Sequence, residues 1–198
     1  MFMPRPCAEK GCGRPALSGS DGCLVHCGDL PGLLRGVLKP GDGERLSLVD
    51  LDRPGISIAD TDLSGAEIAG CRLTAASFLR VSFAGAQVQL SFLDRAVFSE
   101  CDFSGAVLLN CVFAGSRLHD CTFVDCEIVQ ANFLGIHGLR TVFDHSNLYG
   151  SRFIASILED VSMKDCNLTR TFFDAAHRPS VDFRSSNTNE ATFQEPLS

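Results

Sequence analysis

Ten cysteines and five histidines are the side chains of this sequence best suited to metal or nucleophile chemistry. They fall into two populations. Near the start, the stretch PCAEKGCGRPALSGSDGCLVHC places Cys7 and Cys12 as one pair and, after a ten-residue gap, offers Cys23, His26 and Cys27. Two close sets of thiol and imidazole donors can converge on one tetrahedral Zn²⁺, and a segment too short for its own core gains its fold from such a metal. The expected ligands are Cys7, Cys12, Cys23 and His26, with Cys27 as the competitor to His26. Four protein ligands leave no open position, so this zinc is expected to be structural. The competing reading is a reduced loop that holds no metal.

The second population is Cys71, Cys101, Cys111, Cys121, Cys126 and Cys166, spaced by multiples of five. The opening MFMPRPC has no basic stretch followed by an apolar run, and no segment approaches the roughly 20 apolar residues that span a bilayer. A soluble cytoplasmic protein with reduced core thiols is therefore expected, with no membrane partner. No glycine-rich phosphate loop precedes a Lys, and neither a GxSxG elbow nor an HExxH pair occurs. No catalytic residue is expected: His119, His137, His145 and His177 occupy outward positions of the repeat described next.

From Ile58, every fifth residue is large and apolar at 25 of 28 positions, and 12 of the 15 Phe residues fall on this series. Two residues before each centre stands a small one, such as Ala66, Cys71, Cys101, Cys121 or Ser151. A helix turns about 100° per residue, so a step of five would scatter the centres around its cylinder. A flat strand would throw successive centres to opposite faces. A short extended segment followed by a quarter-turn bend satisfies both series, and four such units close one square coil of twenty residues. Leu63, Phe83, Phe103, Phe123, Phe143, Met163 and Phe183 then form one interior column, and Cys101 sits directly beside Cys121.

Units such as CDFSG (101–105), AVLLN (106–110), CTFVD (121–125), ANFLG (131–135) and CNLTR (166–170) resemble the A-(D/N)-L-x-x motif of pentapeptide repeat proteins. The resemblance covers about 56–195 without insertion. It implies an all-β fold, the right-handed quadrilateral parallel β-helix, here of about seven coils. The N-terminal pattern C-x4-C followed by C-x2-H resembles small treble-clef-like zinc modules of bacterial proteins. The expected organisation is a Cys/His module at 1–28, a capping helix and linker at 29–55, and the β-helix at 56–195. Asp29 would cap a helix over about 30–38 that closes the first coil.

Gly138, Arg178 and Thr188 break the series of centres. Local bulges near HGLR and HRPS are expected there in preference to a functional site.

Two outward strips are apolar: Leu109, Val129 and Tyr149 in one column, and Phe92, Leu134, Ile154 and Phe172 on another face. They point to a protein-binding scaffold, whose partner could be a second copy. The family resemblance implies an alternative, a DNA-mimicking protector of DNA gyrase that confers quinolone resistance. Residues 56–198 carry seventeen acids and ten bases, which is compatible with mimicry. Yet the column Asp60, Arg80, Glu100, Asp120, Arg140, Asp160 is of mixed sign and would partly cancel its own field. Residues 1–55 balance seven acids with seven bases, so direct nucleic-acid binding lacks its basic footprint.

Overall fold

The computed structural model describes residues 6–13, 21–23 and 46–195. Every described strand pairs in parallel with the residue twenty positions on, as in Ser47 with Glu67 and His137 with Ile157. The rod therefore has four faces. Face 1 stacks Ser47–Val49, Glu67–Ala69, Gln87–Gln89, Val107–Leu109 and Glu127–Val129. Face 3 stacks Ser57–Ala59, Ser77–Leu79, Val97–Ser99, Arg117–His119, His137–Leu139 and Ile157–Glu159. Faces 2 and 4 are joined mainly by single bridges, Asp52 to Arg72 through Phe172 to Thr192 and Asp62 to Ser82 through Val142 to Ser162; face 4 ends in the pair Val161–Ser162 and Val181–Asp182.

Between faces the chain must turn sharply, and the residue two after each centre does so in the left-handed region. From Asp50 to Glu190 every fifth residue has φ between 48° and 72°, Ser180 alone excepted. Faces 2 and 4 add a turn hydrogen bond, such as Ala106 N–H to Phe103 O at 2.8 Å, with Gly105 at φ 67° as the third residue of a type II-like turn. At Gly70 the requirement is also steric, because a Cβ there would lie 2.7 Å from Asp50 Oδ1.

The centres point inward as expected. Phe83, Phe103, Phe123 and Phe143 stack with centroids 4.5, 4.4 and 4.8 Å apart and planes within 13° of parallel. Phe113, Phe133, Phe153, Phe173 and Phe193 form the second pile, at 4.7 to 5.2 Å. Each buried ring contributes roughly 1.5–3 kcal/mol. At the corners the side chains are mostly small, and the polar ones are satisfied: Ser116 Oγ donates to Leu93 O at 3.0 Å and Thr171 Oγ1 to Leu148 O at 2.9 Å. Among the described residues no buried side-chain polar atom lacks a partner.

The rod starts earlier than the sequence pattern indicated. Leu46 O accepts Glu67 N–H at 2.7 Å, so residues 46–55, expected in the linker, form the first half of the first coil. Large Leu46, Leu51 and Ile56 stand at small-residue positions there and Arg53 at a centre, which hides the period. The expected helix over 30–38 lies outside the described residues; among those described there is no helix.

The three irregular centres behave differently from one another. No bulge occurs at HGLR: Gly138 keeps register with Leu118 and Leu158, and Leu158 Cδ2 and Val161 Cγ2 occupy the space of its missing side chain, 3.2 and 3.6 Å from where a Cβ would stand. At HRPS the chain does depart, because Ser180 lacks the left-handed turn and its Oγ, not a main-chain carbonyl, accepts Asp160 N–H at 2.8 Å. Arg178 and Thr188 lie at the C-terminal end of the described rod, with no described coil stacked beyond them. Arg178 bends across that end. Its guanidinium donates to Ala176 O at 3.0 Å and Phe193 O at 3.3 Å, pairs with Glu195 at 3.0 Å, and lies 5.3 Å over the Phe193 ring.

Two outcomes follow from this packing. Phe123→Ala should open a cavity in the middle of one pile and lower stability in urea by about 3–5 kcal/mol; a loss below about 1 kcal/mol would show that the pile is not tightly packed. The inward thiols supply a pH signature. Burial raises Cys71 and Cys111 from an ordinary 9.0 to about 11 and Cys126 to about 12. The unfolded chain loses these protons above about pH 9 while the folded rod retains them, so the unfolded state gains. The melting temperature should fall between about pH 9 and 11, and replacing Cys71, Cys111 and Cys126 with Ala or Ser should flatten that fall.

Candidate functional site

Three of the five expected metal-site residues lie among the described residues, and they converge. The Sγ atoms of Cys7, Cys12 and Cys23 are all within 4.8 Å of one another, with Cys12 and Cys23 3.7 Å apart. Tetrahedral Zn²⁺ with Zn–S bonds of about 2.3 Å separates its sulfurs by about 3.8 Å. Local backbone bonds hold the arrangement. Ala8 N–H donates to Asp21 O at 2.8 Å, tying the two segments together, and Cys12 N–H closes a turn onto Glu9 O at 3.1 Å, with Gly11 at φ 83°. Cys23 N–H donates to Cys7 Sγ at 3.3 Å. Cys7 and Cys23 are buried. The three thiols can therefore hold a metal ion. His26 and Cys27, the alternatives for the fourth ligand, lie outside the described residues.

Along the rod, Cys101 and Cys121 occupy successive coils of one corner, as expected. Their thiols hydrogen-bond to each other, which lowers Cys101 and raises Cys121 relative to an ordinary thiol. Both also reach main-chain oxygens, Cys101 Ser99 O and Cys121 His119 O, each at 3.4 Å. His119, His137 and His145 stand on the outside beside acids: His119 is 2.9 Å from Asp120, His137 3.6 Å from Glu159 and His145 3.9 Å from Asp165.

The predicted charge ladder forms at the corner after face 3. Arg80 grips Asp60 through two bonds of 2.6 and 2.9 Å, and Arg140 grips Asp120 in the same way. These bonds hold both carboxyls below their ordinary range.

The two apolar strips differ in availability. Leu109 and Val129 pair in register on face 1 and are half-buried, as is Tyr149, whose hydroxyl accepts from Arg170 Nη1 at 3.0 Å. On face 2, Phe92 is 49% exposed and Leu134 45%, with Ile154 and Phe172 half-buried. Sequence reasoning missed the residue that joins the strips. Leu90 stands at the corner between faces 1 and 2, is 63% exposed at φ 48°, and donates its N–H to Leu109 O at 3.0 Å. The signal for it was a bulky apolar residue at a corner position that Asp, Gly and Arg mostly fill. From Leu90 the chain runs to Phe92, which bridges to Val112, so the apolar surface wraps continuously around this edge.

The five-residue register extends over every described residue from 46 to 195, and within it residues 93–128 match the pentapeptide repeats family in 8 copies. The chain is a pentapeptide repeat protein. No curated protein matches its sequence. Among solved structures, this pentapeptide repeat protein is similar to HetL of the cyanobacterium Nostoc sp., which is involved in heterocyst differentiation regulation. The identity is 12% and the TM-score 0.46, over 75% of this chain and 89% of that one. It is also similar to QnrB1, a plasmid-mediated fluoroquinolone resistance protein, at 15% identity and TM-score 0.41 over 76% and 86%. Rfr23 of the cyanobacterium Cyanothece matches at 10% identity and TM-score 0.32 over 74% and 90%.

Metal analysis of the purified protein should find about one equivalent of Zn²⁺, and Cys12→Ser or Cys23→Ser should reduce it at least tenfold, because three ligands hold the ion far less tightly than four. Less than about half an equivalent in the intact chain, with no change in stability under chelator, would refute metal binding. Comparing His26→Ala with Cys27→Ser identifies the fourth ligand by which one releases the metal.

Proposed function

We propose that this pentapeptide repeat protein is a non-enzymatic protein-binding scaffold, and that its contact surface is the apolar band around the edge between faces 1 and 2. The observation that carries this reading is the adjacency of Leu90 and Phe92, two of the most exposed large apolar side chains of the rod, with Leu109 and Val112 beside them. Adjacent exposed apolar side chains on a rigid repeat suit a partner site. The cysteine cluster serves alongside it as a structural Zn²⁺ site that folds the N-terminal segment, and the reading places the protein in the cytoplasm, where the inward thiols remain reduced.

The gyrase-protecting alternative draws on face 4, where Asp62, Asp102, Asp125, Asp144, Asp165 and Asp182 outnumber Lys164 and Arg184. Against it, Arg80 and Arg140 each pair with a carboxylate of the adjoining corner, and Lys164 and Arg184 both reach Asp182, at 3.6 and 2.7 Å. A duplex presents an uninterrupted row of negative charge. This rod does not.

Recovery of binding partners from the native host should drop about tenfold when Leu90, Phe92 and Leu134 are changed together to Ser. The triple change of Leu109, Val129 and Tyr149 to Ser should cost less, because those side chains are half-buried and Tyr149 is tied to Arg170. Equal recovery by the intact chain and the first variant would remove the band from consideration.

A further inference from the structure

Face 2 carries more than apolar area. Its outward column bridges Phe92, Val112, Asn132, Arg152 and Phe172 in consecutive coils, flanked on the same face by Leu134 and Ile154. Phe92 and Phe172 are four coils apart, about 19 Å at the spacing of paired strands, and the two outward positions of each coil are about 7 Å apart. The strip therefore offers roughly 130 Å². A stable contact between folded proteins takes about 800 Å² from each partner, so this strip alone is too small to seat a second copy of the rod.

The remaining choice is between an extended peptide and a helix. The main chain beneath the strip is already committed to the stacking of coils: Phe92 N–H donates to Cys71 O at 2.8 Å, Val112 N–H to Ser91 O at 2.9 Å and Phe172 N–H to Ser151 O at 3.0 Å. An extended peptide lying on this face would find no main-chain partners, and its own N–H and C=O groups would be desolvated against Phe and Leu side chains. A helix satisfies its main chain internally. Its side chains at i, i+4, i+7 and i+11 advance about 5.4 Å per turn, close to the rise from coil to coil, and about 13 residues span the strip.

Charge sets the remaining feature. Arg72 pairs with Asp52, Asp94 accepts from Thr74 Oγ1 at 2.7 Å and pairs with Arg95 at 3.3 Å, and Asp174 accepts from Thr192 Oγ1 at 2.6 Å and Gln194 N–H at 3.0 Å. Arg152, exposed in the middle of the apolar column, makes no side-chain hydrogen bond or ion pair among the described residues. We infer that face 2 is a docking strip for an amphipathic helix of about 13 residues from a partner protein, one that presents an acidic side chain to Arg152 within its apolar stripe. This rests on the scaffold reading above and specifies the partner's chemistry.

The test uses the full chain as bait for a display library of amphipathic helices about 16 residues long, with the stripe positions randomised. Enriched peptides should carry Asp or Glu within the stripe, become helical on binding by circular dichroism, and bind at least about tenfold more weakly to the Phe92→Ser/Leu134→Ser variant and to Arg152→Glu. A peptide whose acid is changed to Lys should recover affinity for Arg152→Glu. Both variants alter outward side chains, and unchanged melting curves confirm that they fold; Phe172→Ser stands in for Phe92→Ser if the latter melts early. Peptides that need Phe92 and Leu134 but bind without helicity, or ignore Arg152→Glu, would overturn the helix inference and leave the scaffold surface standing. No enrichment, or peptides indifferent to Phe92→Ser/Leu134→Ser, would overturn both.

Discussion

A main-chain N–H of one coil meets a carbonyl either twenty-one residues back, as Thr122 does with Cys101 O, or nineteen ahead, as Phe103 does with Thr122 O. This alternation locks each residue beside the one twenty positions on and fixes the rise at the spacing of paired strands. Each column then brings together whatever residues stand twenty apart, so Phe103 lies against Phe123, Cys101 meets Cys121, and Cys71 and Cys126 face the serines of the neighbouring coil. The aromatic piles, the hydroxyls bonded back to the main chain and the pairing of Arg80 with Asp60 all follow from that one spacing.

The spacing is also why the fold could be read from the chain. A period of five fits neither a helix nor a flat strand, and the alternation of large centres with small corner residues leaves one geometry that buries both. The reading failed where the chain uses other means to fill the same space. In the first coil, large Leu46 and Leu51 sit buried at positions that small residues mostly fill elsewhere, so size no longer marks position. At Gly138 the bulge that sequence favoured is replaced by the side chains of Leu158 and Val161 moving in from neighbouring positions. Such compensation depends on three-dimensional neighbours and leaves no mark in a linear pattern. The polar centres Arg178 and Thr188 lie in the last described coils, where no described residue stacks on their outer side and Thr188 is exposed.

The binding features were legible in proportion to how local they are. Cys7, Cys12 and Cys23 come together largely because short turns bring them there, and their spacing announced it. The outward apolar residues of faces 1 and 2 could be assigned to columns by counting in twenties. Their union into one surface could not, because it runs through Leu90, whose left-handed corner conformation turns a side chain outward at the boundary between two faces. Exposure at a corner is set by backbone twist and by the size of the side chains beside it, neither of which the repeat encodes.

The quarter turn contributed by each five-residue unit gives the rod an unusual response to changes in length. Duplicating twenty residues would slide everything downstream along the axis and keep every column in line. Duplicating a single unit would swing the remainder of the molecule round by about 90°, carrying Leu134 and Ile154 away from Phe92 onto a different side and setting the downstream centres against those of another face. Growth by whole coils and growth by single units are thus distinct evolutionary moves. One lengthens the surfaces the rod presents, and the other shuffles them.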